Sequence, residues 1–299
     1  MAVRAFAPAK VNLYLHVVGR RADGYHLLDS LVAFADIGDW VTAAPAEALS
    51  LTIDGPEAGE LATAGEENLV SRAAGLLAEA IGQPSRAAFL HLEKRLPVSS
   101  GIGGGSSDAA ATLRALMHLW DVASEPATMA ALALGLGADV PVCLTAEPAW
   151  LGGIGEQIAP IAGLPPAGIV LANPRRALAT PQVFRGRQGP FGQSGRFAAM
   201  PGDAADLAAI LASRRNDLTD AALTIVPGIA DVLHRLGELP GALLARMSGS
   251  GATCFALFED RASASAARAA LVRTHPQWWS AAGALMNVPP AVEIRTDRD

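Results

Sequence analysis

Apolar and polar residues alternate cleanly near the start of the chain. Val11, Leu13, Leu15 and Val17 fall on one side, and Lys10, Asn12, Tyr14 and His16 on the other. A period of two predicts a half-buried strand that presents Lys10 and Asn12 on a single face. Gly19-Arg20-Arg21-Ala22-Asp23-Gly24 reads as a turn into Tyr25-His26-Leu27-Leu28, and residues 49–54 as a short strand. The period then lengthens. Leu69, Ala73, Leu76, Leu77 and Ala80 predict a helix over 66–81, stopped by Gly82. A strand over 89–96 follows. Ala109, Leu113, Leu116, Met117 and Trp120 then share one face of a helix, and a further helix runs from Glu125-Pro126 to about Gly135 or Gly137.

After about residue 160 the texture changes. Residues 169–172 predict a strand, 204–213 and 228–237 helices, and 242–247 with 253–258 a strand pair joined by Ser248-Gly249-Ser250-Gly251. A helix over about 262–273 and a closing strand at 291–294 complete the pattern. Residues 185–203 form a Gly/Arg/Gln-rich loop long enough to be mobile or functional. The expectation is an α+β fold in two halves, residues 1–160 and 161–299.

The most informative junction is the one from strand to helix at 97–107: Pro97-Val98-Ser99-Ser100-Gly101-Ile102-Gly103-Gly104-Gly105-Ser106-Ser107. Glycines let the backbone turn and approach a ligand, the serines suit the first helical turn, and the unpaired amides there form an anion cradle fitted to phosphate. A Walker loop is excluded, because no lysine follows the segment. A dinucleotide fingerprint fits poorly, with Ser106 at its third glycine position and Asp121 directly after the helix. A plain Gly/Ser turn before a helix remains open on the residues alone.

Composition narrows the classes. The 299 residues carry a net charge of −6, and no basic stripe offsets it, which argues against wholesale nucleic-acid binding. No apolar run reaches the roughly 18 residues of a membrane span, and the opening residues lack a signal-peptide layout. Cys143 and Cys254 sit in apolar surroundings as expected buried thiols of a cytoplasmic protein, and no histidine pair at i,i+4 suggests a metal site. Of the 23 basic residues only Lys10 and Lys94 are lysines. Where arginine otherwise serves every positive position, two compact ammonium groups point to work on phosphate or on a proton.

With these residues together, the chain resembles the GHMP small-molecule kinases. Four blocks carry the likeness: Ala7-Pro-Ala-Lys-Val-Asn-Leu with Gly19-Arg-Arg-Ala-Asp-Gly-Tyr-His; Leu96-Pro through Asp108-Ala-Ala; Leu136-Gly-Ala-Asp-Val-Pro; and Met247-Ser-Gly-Ser-Gly-Ala-Thr-Cys-Phe. It departs at Gly153-Ile154-Gly155-Glu156, where many relatives carry a basic residue between the glycines.

The resemblance implies an N-terminal domain like the second domain of ribosomal protein S5 and a ferredoxin-like C-terminal domain. It implies ATP with Mg²⁺, with Ser106 and Ser107 offering hydroxyls to phosphate or metal. The Tyr-His pair narrows the acceptor to the 2-hydroxyl of 4-diphosphocytidyl-2-C-methyl-D-erythritol, a small molecule of isoprenoid precursor synthesis. By resemblance the loop 97–107 wraps the phosphates, Lys94 and Asn68 lie near the nucleotide, and Tyr25 and His26 hold the cytosine. Asn12 and Thr180 face the acceptor. Asp139 takes or orients the hydroxyl proton beside Lys10. On the residues alone Asp139, two before Pro141, reads equally well as a helix cap.

Overall fold

The computed structural model describes residues 1–59, 61, 68–123 and 125–295. Its spine is a hairpin of two long strands, β1 (Ala2–Arg20) and β2 (His26–Pro45), paired antiparallel from Val3↔Ala43 to Arg20↔His26. Register shifts at Pro8/Ala9, Asn12/Tyr14 and Val17/Gly19 bend the ribbon three times. β3 (Ser50–Asp54) runs parallel to β4 (Ala88–Glu93), which pairs with the far half of β2. β5 (Ala149–Gly152) pairs with β2 at residues 30–32, and β6 (Gln157–Pro160) pairs with β5.

Helices α1 (Leu69–Ala80), α2 (Gly104–Leu119), α3 (Pro126–Leu136) and α4 (Val140–Thr145) belong to this half. Val70, Ala73, Ala74 and Leu77 of α1 pack in one core with Leu113 and Leu116 of α2 and with Val3, Val32 and Leu90 of the sheet. The buried stripe of α1 is rotated from the predicted one: Val70 and Ala74 are inside and Ala80 is exposed. The predicted start at 66 and 67 lies outside the described residues.

The second half holds β7 (Gly168–Asn173), β8 (Leu244–Met247), β9 (Cys254–Phe258) and β10 (Trp279–Met286), with α5 (Thr180–Gly186), α6 (Ala204–Ala212), α7 (Thr219–Ile225), α8 (Gly228–Gly237) and α9 (Arg261–Thr274). β10 joins the halves, pairing with β7 along its length and with β2 at Leu285↔Ala35 and Met286↔Phe34. β11 (Val292–Arg295) returns to pair with β1, giving the order β11-β1-β2-β10-β7-β9-β8.

This junction overturns the half-buried reading of the first strand. β1 contributes Ala5 and Ala7 to the core with α1 and α2, Val11, Leu13 and Tyr14 to a second core shared with Ile169, Leu171 and Phe255, and Leu15 and Val17 to a third with Leu218 and Met247. Both faces are covered, so neither set of the alternation meets water, and Tyr14 of the polar set shares a core with Val11 and Leu13 of the apolar set. Lys10, Asn12, Tyr14 and His16 are all buried.

Within the 185–203 segment, residues 192–197 bond and pack against β1, β2 and β5. Asp29, itself buried, accepts hydrogen bonds at Oδ2 from the Tyr14 hydroxyl and the Gly195 N–H, both at 2.7 Å, and at Oδ1 from Arg196 Nε at 3.1 Å. Phe197 closes edge-on against Trp150, and the Gly192 N–H donates to Val17 O at 2.8 Å. Both cysteines are free and buried, and burial pushes the Cys143 thiol up to about 12. No helix among the described residues is long and apolar enough to cross a membrane.

Candidate active site

The strand-to-helix junction forms the wall of a cavity of about 760 Å³. Its construction starts with backbone contacts. The Lys10 N–H donates to Ile102 O at 3.0 Å, fastening the glycine loop to β1. Gly101, at φ +76°, has no room for a side chain: a Cβ there would lie 2.6 Å from Gly251 O. Ser248 Oγ donates to Gly101 O at 3.0 Å, and the Thr253 N–H to Ser100 O at 3.0 Å. Two glycine-containing loops from distant parts of the chain therefore meet backbone to backbone.

Gly103, at φ +64°, is the residue before α2, and no side chain caps that helix. The expected serine caps are absent because a left-handed glycine makes the turn. The first intrahelical bond here is from the Ser107 N–H to Gly103 O at 2.8 Å, so the amides of Gly104, Gly105 and Ser106 precede it without intrahelical acceptors. All three residues line the cavity. The two serines part company. Ser106 faces the cavity, whereas Ser107 is fully buried and donates its hydroxyl to Pro8 O at 2.6 Å.

Beside this cradle Lys10 Nζ donates to Asp139 Oδ1 at 2.6 Å. The lysine side chain is 5 % exposed and the aspartate side chain 39 %, so the pair sits at the wall with its carboxylate toward solvent. Asp139 does occupy the N-cap position of α4, yet its side chain makes no capping bond. The lysine holds it instead. Asn12, two residues beyond Lys10, and Thr180, whose Oγ1 lies 2.8 Å from Ser250 Oγ, line the same cavity.

Lys94 lies beneath the loop. Its Nζ donates to Asp39 Oδ2 at 2.5 Å and to Asp108 Oδ2 at 2.8 Å, all three side chains being buried. Burial opposes its charge, but Asp108 and Asp39 outweigh that and push it up to about 12. Burial lifts Asp108 well above the usual carboxylate range, and Asp39 adds to this. Asp39 Oδ1 also accepts the N–H groups of Arg95 and Leu96, at 2.5 and 2.8 Å. That substitution of a carboxylate for ladder partners explains why the strand expected over 89–96 ends at Glu93. The triad anchors both the strand that enters the loop and the helix that leaves it.

Asn68 lines the cavity and also caps α1, its Oδ1 accepting from the Val70 N–H at 2.9 Å. Pro97, Val98, Ser99 and Ser100 line the cavity, while Ile102 points into the core. Tyr25 and His26 stand outside the cavity wall, at the end of the β1–β2 hairpin. Tyr25 is 62 % exposed; His26 stacks on Phe184 with ring centroids 5.4 Å apart, and Phe184 lines the cavity. Burial, with Arg20 and Arg187 nearby, holds the His26 imidazole below its ordinary range, hence neutral at physiological pH. At the point where the resemblance departs, the Ile154 N–H donates to Glu156 Oε2 at 2.5 Å, so the acid closes its own turn.

Sequence reasoning missed Asp39, Asp108 and Phe184. Only Asp108 carried a signal: an acid among Ala109, Ala110 and Ala111 on a buried helix requires a cation, and Lys94 is one of two lysines.

Residues 68–147 match the GHMP kinases N terminal domain and residues 197–277 the GHMP kinases C terminal family. The 4-diphosphocytidyl-2-C-methyl-D-erythritol kinase of Paramagnetospirillum magneticum is 54% identical over 94% of this chain and 98% of its own length. The protein of the same name from Rhodospirillum rubrum is 52% identical over 96% and 95%. The chain belongs to the GHMP kinases, in the branch of these relatives. A crystal structure of 4-(cytidine 5'-diphospho)-2C-methyl-D-erythritol kinase superposes with a TM-score of 0.77 at 38% identity, covering 94% of this chain and 98% of that one. Homoserine kinase from Cytophaga hutchinsonii shares the fold, at 19% identity and TM-score 0.66. As a GHMP kinase the chain is an ATP-dependent enzyme acting on a small molecule, with the α+β two-part fold of that family.

Proposed function

We propose that this chain transfers the γ-phosphoryl group of ATP to the 2-hydroxyl of 4-diphosphocytidyl-2-C-methyl-D-erythritol, and that it does so in the cytoplasm. The observation that carries the mechanism is the 2.6 Å Lys10–Asp139 pair set beside the open amides of residues 104–106 in one cavity. The names of relatives at half identity support the acceptor. Two buried free thiols suit a reducing compartment.

Phosphoryl transfer needs alignment and compensation of spreading charge more than covalent help. The loop amides and the positive end of α2 receive the β- and γ-phosphates. Asp139 accepts the proton of the attacking hydroxyl as the new O–P bond forms and the bond to the β-phosphate oxygen breaks. Lys10, bonded to Asp139 at 2.6 Å, holds that carboxylate aimed, and its ammonium opposes the charge growing on the transferred group. Tyr25 stacks on the cytosine and His26 meets its edge, with Phe184 joining His26 to the cavity; Asn12 and Thr180 seat the polyol, and Asn68 meets the adenine.

Among the described residues no group of three or more acidic, histidine or cysteine side chains could cage a metal. Mg²⁺ would bind chiefly through substrate phosphates and water, with one or two protein oxygens. The Ser106 hydroxyl, which lines the cavity beside the loop amides, would supply such an oxygen. When bound, the ion neutralises phosphate charge.

Coupled assays offering the cytidyl polyol, homoserine and mevalonate in parallel test this. ADP release with the first alone is expected; preference for either of the others refutes the acceptor assignment.

A further inference from the structure

Asn12 has a fully directed amide, and the direction is set by a residue outside the machinery described so far. The Ser30 hydroxyl on β2 donates to the Tyr14 carbonyl oxygen at 2.5 Å. A carbonyl only accepts, so the single hydroxyl proton is committed there. Ser30 Oγ then offers Asn12 nothing but lone pairs, and the Asn12 Nδ2–H donates to it at 2.9 Å. The consequence is on the other side of the amide. Asn12 Oδ1 is buried beside Gly249 and has no hydrogen-bond partner among the described residues, while Asn12, Ser30 and Gly249 all line the cavity next to Lys10.

We infer that Ser30 is a positioning residue that fixes the Asn12 amide with its oxygen toward the substrate, where that oxygen accepts from a hydroxyl of the polyol. The inference rests on the proposed function and refines it. A flipped amide would point Oδ1 at Ser30, and the one hydroxyl proton would have to leave either that oxygen or the Tyr14 carbonyl unpaired in a buried site. An orphaned buried acceptor is tolerated where a ligand completes it. An alcohol that presents an O–H completes it; an ether or deoxy analogue at the same position leaves it empty.

Steady-state kinetics on Ser30→Ala, Asn12→Asp and the double variant test this. Ser30→Ala removes the acceptor that holds Nδ2, so the amide samples both orientations, and KM for the alcohol should rise about fivefold or more with KM for ATP unchanged. Asp at position 12 presents an oxygen inward whichever way it turns, so adding Ser30→Ala to Asn12→Asp should raise KM by less than about twofold over that variant's own value. Ser30→Thr keeps the hydroxyl and should restore the wild-type KM. The inference is overturned if Ser30→Ala has a normal alcohol KM, if it damages ATP and alcohol KM equally, or if its penalty is the same in the Asn12→Asp background. Wild-type turnover of the cytidyl polyol tests the function separately. The variant ratios are read on whichever alcohol the wild type phosphorylates.

Discussion

Replacing Lys94 by Met keeps much of the stem and removes the ammonium from between Asp39 and Asp108. In the native fold its Nζ lies 2.5 and 2.8 Å from the two carboxylates, and none of the three side chains is more than 4 % exposed. Removing one partner from a buried ionic cluster costs about 3–5 kcal/mol, because the remaining charge is left uncompensated. At roughly 2–4 °C per kcal/mol for a chain of this size, the variant should melt roughly 6–20 °C below wild type near neutral pH.

The pH dependence carries the sharper test. Without the cation that opposes them, burial and the neighbouring Asp39 raise the Asp108 carboxyl further above its unfolded value. A raised folded pKa gives stability that is present below the unfolded pKa and lost as pH rises through the folded one. The deficit of Lys94→Met should therefore shrink as the pH falls from about 8 to about 5. In the wild type the lysine, pushed up to about 12, stabilises fully below its unfolded pKa of about 10.4 and stops doing so as pH climbs through about 12. Scanning calorimetry on both proteins across this range is the assay. A melting difference under about 2 °C near neutral pH, or a deficit that does not change with pH, refutes the reasoning.

Gly103→Val places a β-branched residue at φ +64° with its Cβ 3.1 Å from Lys10 Cβ; strain of about 1–3 kcal/mol should raise KM for ATP roughly 5- to 150-fold in initial-rate titrations. Tyr25→Ala should raise KM for the cytidyl substrate by about the same factor, from about 1–3 kcal/mol of stacking, with KM for ATP unchanged; equal loss on both substrates counts against base binding. Asp29→Ala strips acceptors from the buried Tyr14 hydroxyl and the Gly195 N–H. Urea denaturation should show a loss of about 1–3 kcal/mol per orphaned donor, part of it recovered by adding Tyr14→Phe.

Much of this was legible in the chain, and what was not has physical reasons. The Lys10/Asn12 spacing, the glycine junction and the Ser248–Gly251 turn were readable because each is local, and the structure brings them to one cavity. The three short helices α4, α5 and α7, of six or seven residues each, fall below the length at which a 3.6-residue period can be recognised. β10 escaped detection because Ser280-Ala-Ala-Gly-Ala lacks alternation. Its smallness answers a tertiary demand: a Cβ on Gly283 would overlap Asp36, whose Oδ1 accepts the Ala284 N–H at 2.8 Å. The Lys94 triad joins residues 39, 94 and 108, whose meeting depends on β2, β4 and α2 packing together. Nothing at Asp39 announced it.

The central claim is that Asp139, held by Lys10, handles the proton of the acceptor hydroxyl. Single-turnover rapid quench of Asp139→Asn, with ATP and the cytidyl polyol both saturating, measures the transfer step alone. The account predicts a rate about 10²- to 10⁴-fold below wild type with both dissociation constants little changed. Transfer within about threefold of wild type would contradict it.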